Sequence, residues 1–117
     1  MSLKRVHETL AALGLNQSDA NMYVFLAKTG PHKGKDLCNA LNMPKPRLYQ
    51  CLSKLKSKGA VSVTPERPAI FSAVPFEKVL DILVKAKLEE AQHTQQDKDE
   101  ALSNWKFMID TESNKKP

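Results

Sequence analysis

One short stretch of the chain combines cations with amide and hydroxyl side chains and contains no carboxylate. Between Met43 and Gly59, the face of a helix opposite its apolar residues would carry Lys45, Arg47, Gln50, Ser53, Lys54 and Ser57. Ammonium and guanidinium groups bind phosphates, and arginine, glutamine and serine side chains also reach the edges of bases. A solvated helix normally mixes both charge signs, which this stretch does not do. The pattern therefore indicates either a helix that lies in a DNA major groove or a basic surface helix.

The same stretch carries the signals of a helix that would hold those side chains on one face. Pro44 and Pro46 open it and Gly59 closes it, which is the usual placement of proline and glycine at helix ends. Its apolar residues recur every three or four positions, at Leu48, Cys51, Leu52 and Leu55. We expect this face to pack on a core while the polar face points outward.

Charge is distributed unevenly along the chain. The 117 residues carry a net charge of +5 with a pI near 9.3, which favours an anionic partner. Residues 33–68 hold eight Lys or Arg and two acids, whereas residues 77–117 hold seven cations and nine acids. The middle of the chain is the basic part, and the C-terminal part is mildly acidic.

Several classes of site are not indicated. Cys38 and Cys51 are too few for a disulfide framework and lack C-x-x-C spacing, so we expect reduced thiols, with a redox pair as the alternative. The three histidines lack metal-ligand spacing, and no nucleophile–base pair or glycine-rich phosphate loop is present. We expect no enzyme activity, no metal and no cofactor. Because no apolar run approaches about 18 residues, we expect no membrane contact and a cytoplasmic, nucleoid-associated protein.

Helical signals precede the basic stretch. Periodic apolar residues predict a first helix that Gly14 ends, and Asn16 starts a second that ends at Gly30-Pro31. A short third helix is predicted from about Lys33 or Gly34 to Leu41. Asn42-Met43-Pro44 then makes a tight connection to the basic helix, a geometry typical of a helix-turn-helix. Lys33 and Lys35, at the start of the third helix, are expected to approach phosphates.

An alternating pattern follows Gly59. Val61 and Val63 alternate with polar residues, a turn contains Arg67, and an apolar return segment ends at Pro75. This predicts a two-stranded hairpin, the wing of a winged helix. Arg67 at its tip either enters a minor groove, which favours a guanidinium, or is a solvated turn residue.

From Phe76 a long helix is predicted, and beyond its first turns eight positions alternate four and three residues apart. This heptad seam consists of Val84, Leu88, Ala91, Gln95, Lys98, Leu102, Trp105 and Ile109. Because an isolated polar helix is marginal in water, we expect a second copy to cover the seam. The alternative is a seam that folds back on its own domain. The predicted division is a winged helix-turn-helix domain over 1–76, a dimerisation helix over 77–110 and a disordered tail over 111–117.

With these elements placed, the sequence resembles the winged-helix DNA-binding domain of the TrmB-like transcriptional regulators, found mainly in archaea. The resemblance runs from Leu13 to about Leu80 and depends on ordered short matches. These are Leu13-Gly14-Leu15, Ala20 with Tyr23, Gly30-Pro31, Leu37 with Ala40, Pro44, Leu48-Tyr49, Leu52, Leu55, Lys58-Gly59, Arg67-Pro68 and Ala73-Val74-Pro75. MarR-like and ArsR-like repressors share part of this pattern. The resemblance implies a fold that is mainly α with a small β-hairpin, a winged helix-turn-helix followed by a long C-terminal helix.

Three departures from the family pattern matter. Pro46 stands where a small hydroxyl residue is usual, and Ala69-Ile70 replace a basic return strand. Full-length members also carry a large sugar-sensing domain, so for this chain we expect no sugar effector.

The leading hypothesis is a homodimeric regulator that binds specific sites on double-stranded DNA, with one recognition helix per half-site in the major groove. Its contact residues would be Lys33, Lys35, Lys45, Arg47, Gln50, Ser53, Lys54, Ser57 and Arg67, of which Arg47 and Gln50 are expected to read bases. The dimer contacts would be Val84, Leu88, Ala91, Leu102, Trp105 and Ile109. The alternatives are a winged-helix module that binds another protein and a chromatin-type protein that coats DNA without sequence preference.

Overall fold

The computed structural model describes residues 3–114, which form five helices and three short strands. In chain order these are α1 (Leu3–Ala12), α2 (Gln17–Thr29), β1 (His32–Lys33), α3 (Gly34–Leu41), α4 (Lys45–Ser57), β2 (Val61–Val63), β3 (Ile70–Ala73) and α5 (Phe76–Asn114). The fold class predicted from the sequence, mainly α with a small β element and a long C-terminal helix, is confirmed. Contacts divide the chain into two compact units, one that ends at Val84 and one that begins at Lys85.

The first unit has one apolar core. Its least exposed side chains come from every helix of the unit and include Leu10, Leu26, Leu37, Leu55 and Val79, each at most 1% exposed. Helix α2 packs against α1, α4 and β3 and so lies at the centre of the unit. Burying a side chain of this size contributes about 1.5–3 kcal/mol to the free energy of folding. This hydrophobic contribution keeps the apolar face of α4 packed on the core.

Local signals set the helix boundaries as the sequence predicts. The Asn16 side chain accepts a hydrogen bond from the Asp19 N–H at 2.8 Å and caps α2. Gly30 ends this helix at a φ of +90°, and Asn42 takes the left-handed conformation between α3 and α4. The predicted helix-turn-helix connection is therefore present.

The sheet has three antiparallel strands in the order β1-β3-β2, one more than the predicted hairpin. His32 pairs with Phe71 and Lys33 with Ile70, while Val61 pairs with Ala73 on the other side of β3. The additional strand is two residues long and exists only through pairing with a segment almost forty residues away. A period-two pattern cannot develop over two residues, so the sequence does not predict this strand.

Helix α5 begins at Phe76, as predicted, and continues to Asn114. It therefore includes residues 111–114 of the segment predicted to be a disordered tail, because no glycine or proline lies between Phe76 and Asn114. Residues 115–117 lie outside the described residues. Among residues 3–114, no helix is both long and apolar enough to cross a membrane.

One long-range hydrogen bond connects α2 to the segment that leads into α5. The Tyr23 hydroxyl donates to the Val74 carbonyl oxygen at 2.6 Å, and Tyr23 is 2% exposed. Removing the hydroxyl with Tyr23→Phe leaves this carbonyl without its donor, so we expect a loss of about 1–2 kcal/mol in unfolding free energy, measured by urea denaturation. Tyr49→Phe is the matched control, since Tyr49 is 40% exposed. Equal midpoints for the two variants would contradict the prediction.

Candidate nucleic-acid interface

Helix α4 is the element that positions most of the candidate contact residues. It begins after Pro44, which has an extended backbone, and Pro46 lies in its first turn. At the other end Gly59 has a φ of +79°, its N–H donates to the Lys56 carbonyl at 3.0 Å, and the Ala60 N–H donates to the Leu55 carbonyl at 2.9 Å. This is a Schellman cap, which confirms Gly59 as the left-handed terminator.

The two faces of α4 separate as the sequence predicts. Leu48, Cys51, Leu52 and Leu55 are buried, and the six polar candidates of this helix are exposed. At 3.6 residues per turn, the middle of the exposed face falls on Gln50, Ser53 and Ser57. Arg47 and Lys54 lie along one edge of that face, and Lys45 and Lys56 lie along the other edge. Neutral hydrogen-bonding groups are thus flanked by cations on both sides.

An acid from a neighbouring helix reaches one edge of this face. Asp19 in α2 is 2% exposed, and its carboxylate accepts a hydrogen bond from the Cys51 thiol at 3.1 Å. Its other oxygen lies 3.3 Å from the Lys54 ammonium, whose side chain is 48% exposed. Lys54 is therefore held against α2 while part of its side chain stays in solvent. Of the cations on the face, Lys54 carries the most compensated charge.

The other edge of the face leads into the wing. The Lys45 ammonium lies 5.9 Å from the centre of the Tyr49 ring, within the range of a cation–π contact. The Tyr49 ring in turn meets Phe71 of β3 edge-on, with 5.9 Å between centroids. Tyr49 is thus partly exposed, and its ring connects α4 to the sheet.

A groove of about 670 Å³ separates the start of α3 from the turn between β2 and β3. Three of the predicted DNA contacts, Lys33, Lys35 and Arg67, line it together with Tyr49. Glu66 is the acid among the lining residues, so the groove carries a net positive charge. The structure therefore brings the α3 and wing candidates together, beside the Lys45 edge of α4.

Arg47 lies at a different place. It lines a cleft of about 310 Å³ with Ser18 and Asn21 of α2 and with Asn42 of the turn. Arg47 itself is exposed, so its guanidinium is accessible from solvent. The candidate residues consequently form one surface that runs from this cleft, across α4, to the groove at the wing.

Both cysteines are free thiols, and Cys51 is held as a hydrogen-bond donor. Burial raises the pKa of the Cys51 thiol to about 12, and the neighbouring Asp19 carboxylate adds to this shift. The reactive thiolate is therefore scarce at neutral pH, which disfavours the redox pair with Cys38. No group of acidic, histidine or cysteine side chains within residues 3–114 is arranged to hold a metal ion.

This thiol gives a test of the Asp19 contact. Because burial and the Asp19 carboxylate raise the pKa of the Cys51 thiol to about 12, we expect iodoacetamide to leave Cys51 unlabelled as pH rises from 7 to 9 in the native protein. Labelling in urea should be complete, and mass spectrometry of peptides distinguishes the two cysteines. Rapid native labelling of Cys51 at pH 8 would contradict the buried, Asp19-bound thiol.

Comparison with known proteins agrees with this architecture. Residues 10–77 match the family described as sugar-specific transcriptional regulator TrmB, which is more than half of the chain. The chain belongs to the TrmB family. The resemblance identified from the sequence is thereby confirmed. The relatives of this chain in the family are winged-helix transcriptional regulators.

Individual relatives differ in how much they share with this TrmB-family chain. It is 31% identical over 78 residues to the HTH-type sugar sensing transcriptional regulator TrmBL1 of Pyrococcus furiosus, covering 67% of this chain and 23% of TrmBL1. The structure of TrmBL2, an archaeal chromatin protein described as showing a novel mode of DNA binding, superposes with a TM-score of 0.78 at 24% identity, covering 94% of this chain and 44% of that one. ST1889 from Sulfolobus tokodaii gives a TM-score of 0.63 at 19% identity over 80% of this chain and 99% of its own.

The chain thus spans 23% of the length of its relative TrmBL1 and 44% of the length of the similarly folded TrmBL2. At these identities the structural matches establish the shared winged-helix fold.

Two residues of this surface were missed as site residues from the sequence. Asp19 stands three residues after the cap residue Asn16, which is the spacing of a capping box, but only its backbone N–H takes part in the cap, and its side chain reaches α4. Lys58, assigned no role, donates to the Gly14 carbonyl at 2.8 Å and ties the end of α4 to the α1–α2 turn. Both contacts join helices that are distant in sequence, and no local pattern encodes them.

Proposed function

We propose that this chain is a double-stranded-DNA-binding transcriptional regulator whose α4 lies in the major groove and whose wing lies near the minor groove. The observation that carries the proposal is the arrangement of the exposed face of α4. Cations line both of its edges, where the two phosphate backbones of a major groove would lie. Gln50, Ser53 and Ser57 occupy its middle, where base edges would lie.

The groove beside the wing supports the same orientation. Lys33, Lys35 and Arg67 line one cavity next to Lys45, so four cations from β1, α3, α4 and the wing share one side of the first unit. In this arrangement Lys33 and Lys35 contact phosphates and Arg67 approaches the minor groove. Lys54, already paired with Asp19, contributes less than Lys45 or Arg47.

The finer parts of the proposal concern assembly and location. We propose a homodimer through the heptad seam, with residues 1–76 as the DNA-binding domain and 77–110 as the dimerisation helix. The protein would act in the cytoplasm at the nucleoid, without enzyme activity. Regulation without a sugar effector stays a prediction, tested by adding maltose and glucose to the DNA titration described next.

Duplex titration at several salt concentrations tests this function. If each half-site contact neutralises about four to five phosphates, the DNA affinity should fall as salt concentration rises. The slope of log affinity against log salt should be about −0.9 per phosphate contact. Fluorescence anisotropy with a labelled duplex between 50 and 300 mM salt would measure the slope. Absence of any complex at the lowest salt would overturn the proposal and favour a protein-binding winged helix.

A second candidate is a chromatin-type protein that coats DNA. The middle of the α4 face offers one amide and two short hydroxyl side chains as base-reading groups, and the similarly folded TrmBL2 is described as a chromatin protein. This candidate predicts similar affinities for unrelated duplexes and cooperative filling of long DNA. A specific regulator instead prefers its operator by about 10³-fold or more over other sequences.

A further inference from the structure

The second unit presents a line of large apolar side chains to solvent. Within the heptad seam, Leu88 is 61% exposed, Leu102 is 48%, Trp105 is 59% and Ile109 is 40%. Gln95 and Lys98 interrupt this line, but soluble single-chain proteins still rarely expose so many large apolar side chains on one helix face unless another molecule covers them. The spacing of the stripe fits a second helix, and its residue types show which helix and in which direction.

The seam is complementary to itself when a second copy runs the opposite way. With the two-fold axis between Gln96 and Asp97, every seam position of one helix meets a position of the other at the same height. The layers, each formed twice, are Val84 with Ile109, Leu88 with Trp105, Ala91 with Leu102, and Gln95 with Lys98. The smaller residue of each apolar layer meets the larger one, and the polar residues meet each other.

A parallel pair would match each seam residue with its own copy. The two Lys98 ammonium groups would then face each other across a partly dry seam, where like charges repel strongly. Two Trp105 rings would compete for one layer, and two Ala91 methyl groups would leave another layer underfilled. The antiparallel arrangement removes all three conflicts, since Lys98 meets the Gln95 amide oxygen.

We propose that the heptad seam binds a second copy of this chain with the two α5 helices antiparallel and Gln95 of each facing Lys98 of the other. This rests on the homodimer of the proposed function and adds its direction and register. At 1.5 Å per residue, the two copies of Val84, the last residue of the first unit, lie about 38 Å apart along the pair.

Mixed-cysteine crosslinking of the full chain tests the register. One chain carries Ala91→Cys and a differently tagged chain carries Leu102→Cys, both with Cys38→Ser, and the mixture is mildly oxidised. A disulfide forms only when the two cysteine Cβ atoms lie about 4 Å apart. Antiparallel pairing brings residue 91 of one copy next to residue 102 of the other, so we expect the mixed dimer to be at least about fivefold more abundant than either homodimer. Glu89→Cys mixed with Asn104→Cys is the matched control, since these positions share a layer but face away from the seam.

The crosslinking products distinguish the antiparallel register from a parallel pair and from a monomer. Ala91→Cys homodimers in excess of the mixed product would establish parallel pairing and overturn this register, while the homodimer itself would stand. No crosslink in any mixture, together with a monomer mass by light scattering, would overturn the register and the homodimer. Duplex titration of the unsubstituted chain reports separately on DNA binding, so loss of the dimer is distinguishable from failure of the DNA-binding proposal.

A charge reversal gives an independent readout. In the antiparallel register Lys85 flanks Lys106 of the other copy, whereas in a parallel pair Lys106 flanks Ala101. Lys106→Glu therefore creates two Lys–Glu pairs in the antiparallel dimer, and we expect the dimer dissociation constant to fall about two- to tenfold. Lys106→Gln, which only removes the repulsion, should give a smaller gain. An unchanged or weaker dimer with Lys106→Glu would overturn the register.

Discussion

Replacing Lys45 and Arg47 together by alanine is expected to weaken duplex DNA binding by about ten- to a hundredfold near 0.1 M salt. Both side chains are exposed, and they lie on opposite edges of the α4 face. Each would contact a phosphate of a different strand, which for Arg47 replaces the base contact expected from the sequence, because Arg47 lies at an edge of the face. Their loss therefore removes charge from both sides of the helix. The log–log salt slope should also become shallower by about 1.8, which is about 0.9 for each lost phosphate contact.

The fold should survive this double substitution, because neither side chain belongs to the core. Urea denaturation should give a midpoint within the error of the unsubstituted chain. The matched control is Lys4→Ala with Lys78→Ala, which removes the same charge from exposed positions on α1 and α5. If the control weakens binding as much as the double substitution in α4, binding follows net charge alone and α4 is not the contact element.

A single substitution can separate base reading from phosphate contact on the same face. Gln50 lies in the middle of the exposed face, and a glutamine there can bond an adenine edge. Gln50→Ala should therefore reduce the difference in affinity between the operator duplex and unrelated duplexes, while the salt dependence of binding stays unchanged. A uniform loss on all duplexes would instead assign Gln50 to the phosphate backbone.

Local chemistry made much of α4 predictable from the sequence. Proline early in the helix, glycine after it and a three- and four-residue apolar period are short-range signals, and the structure confirms the helix, its cap and its two faces. The turn through Asn42 is similar, since it depends on one residue that tolerates a positive φ. In each case the deciding interactions lie within a few residues of one another.

Interactions between distant elements were not predictable in the same way. The pairing of β1 with β3 and the reach of Asp19 across to α4 depend on how α2, α3 and the wing pack. An acid in the first turn of a helix has a sufficient local explanation, so nothing in the sequence marks it as buried. The sequence correctly predicts that α4 itself has no acid on its polar face. It does not predict that Asp19 of α2 places a carboxylate beside Lys54 at the edge of that face.

Asp19→Ala is expected to lower the free energy of unfolding by about 2–3 kcal/mol. The change removes the acceptor of the Cys51 thiol and the partner of the Lys54 ammonium, and it leaves a small cavity between α2 and α4. The expected loss is less than for a fully buried ion pair, since Lys54 is 48% exposed and can regain water. Urea denaturation of the two proteins at pH 7 measures the difference.

Asp36→Ala is the matched control for this prediction. Asp36 is the third residue of α3, and Asp19 is the third residue of α2. Each alanine substitution therefore removes the same favourable interaction between a carboxylate and a helix N-terminus. Asp36 is exposed, and its substitution should cost less than about 1 kcal/mol. A double-mutant cycle of Asp19→Ala with Lys54→Met should then return a coupling of about 1 kcal/mol between the two side chains. Equal costs at Asp19 and Asp36, or no coupling to Lys54, would mean that packing of Leu48, Leu52 and Leu55 alone orients α4 and that its basic edge is not fixed from α2.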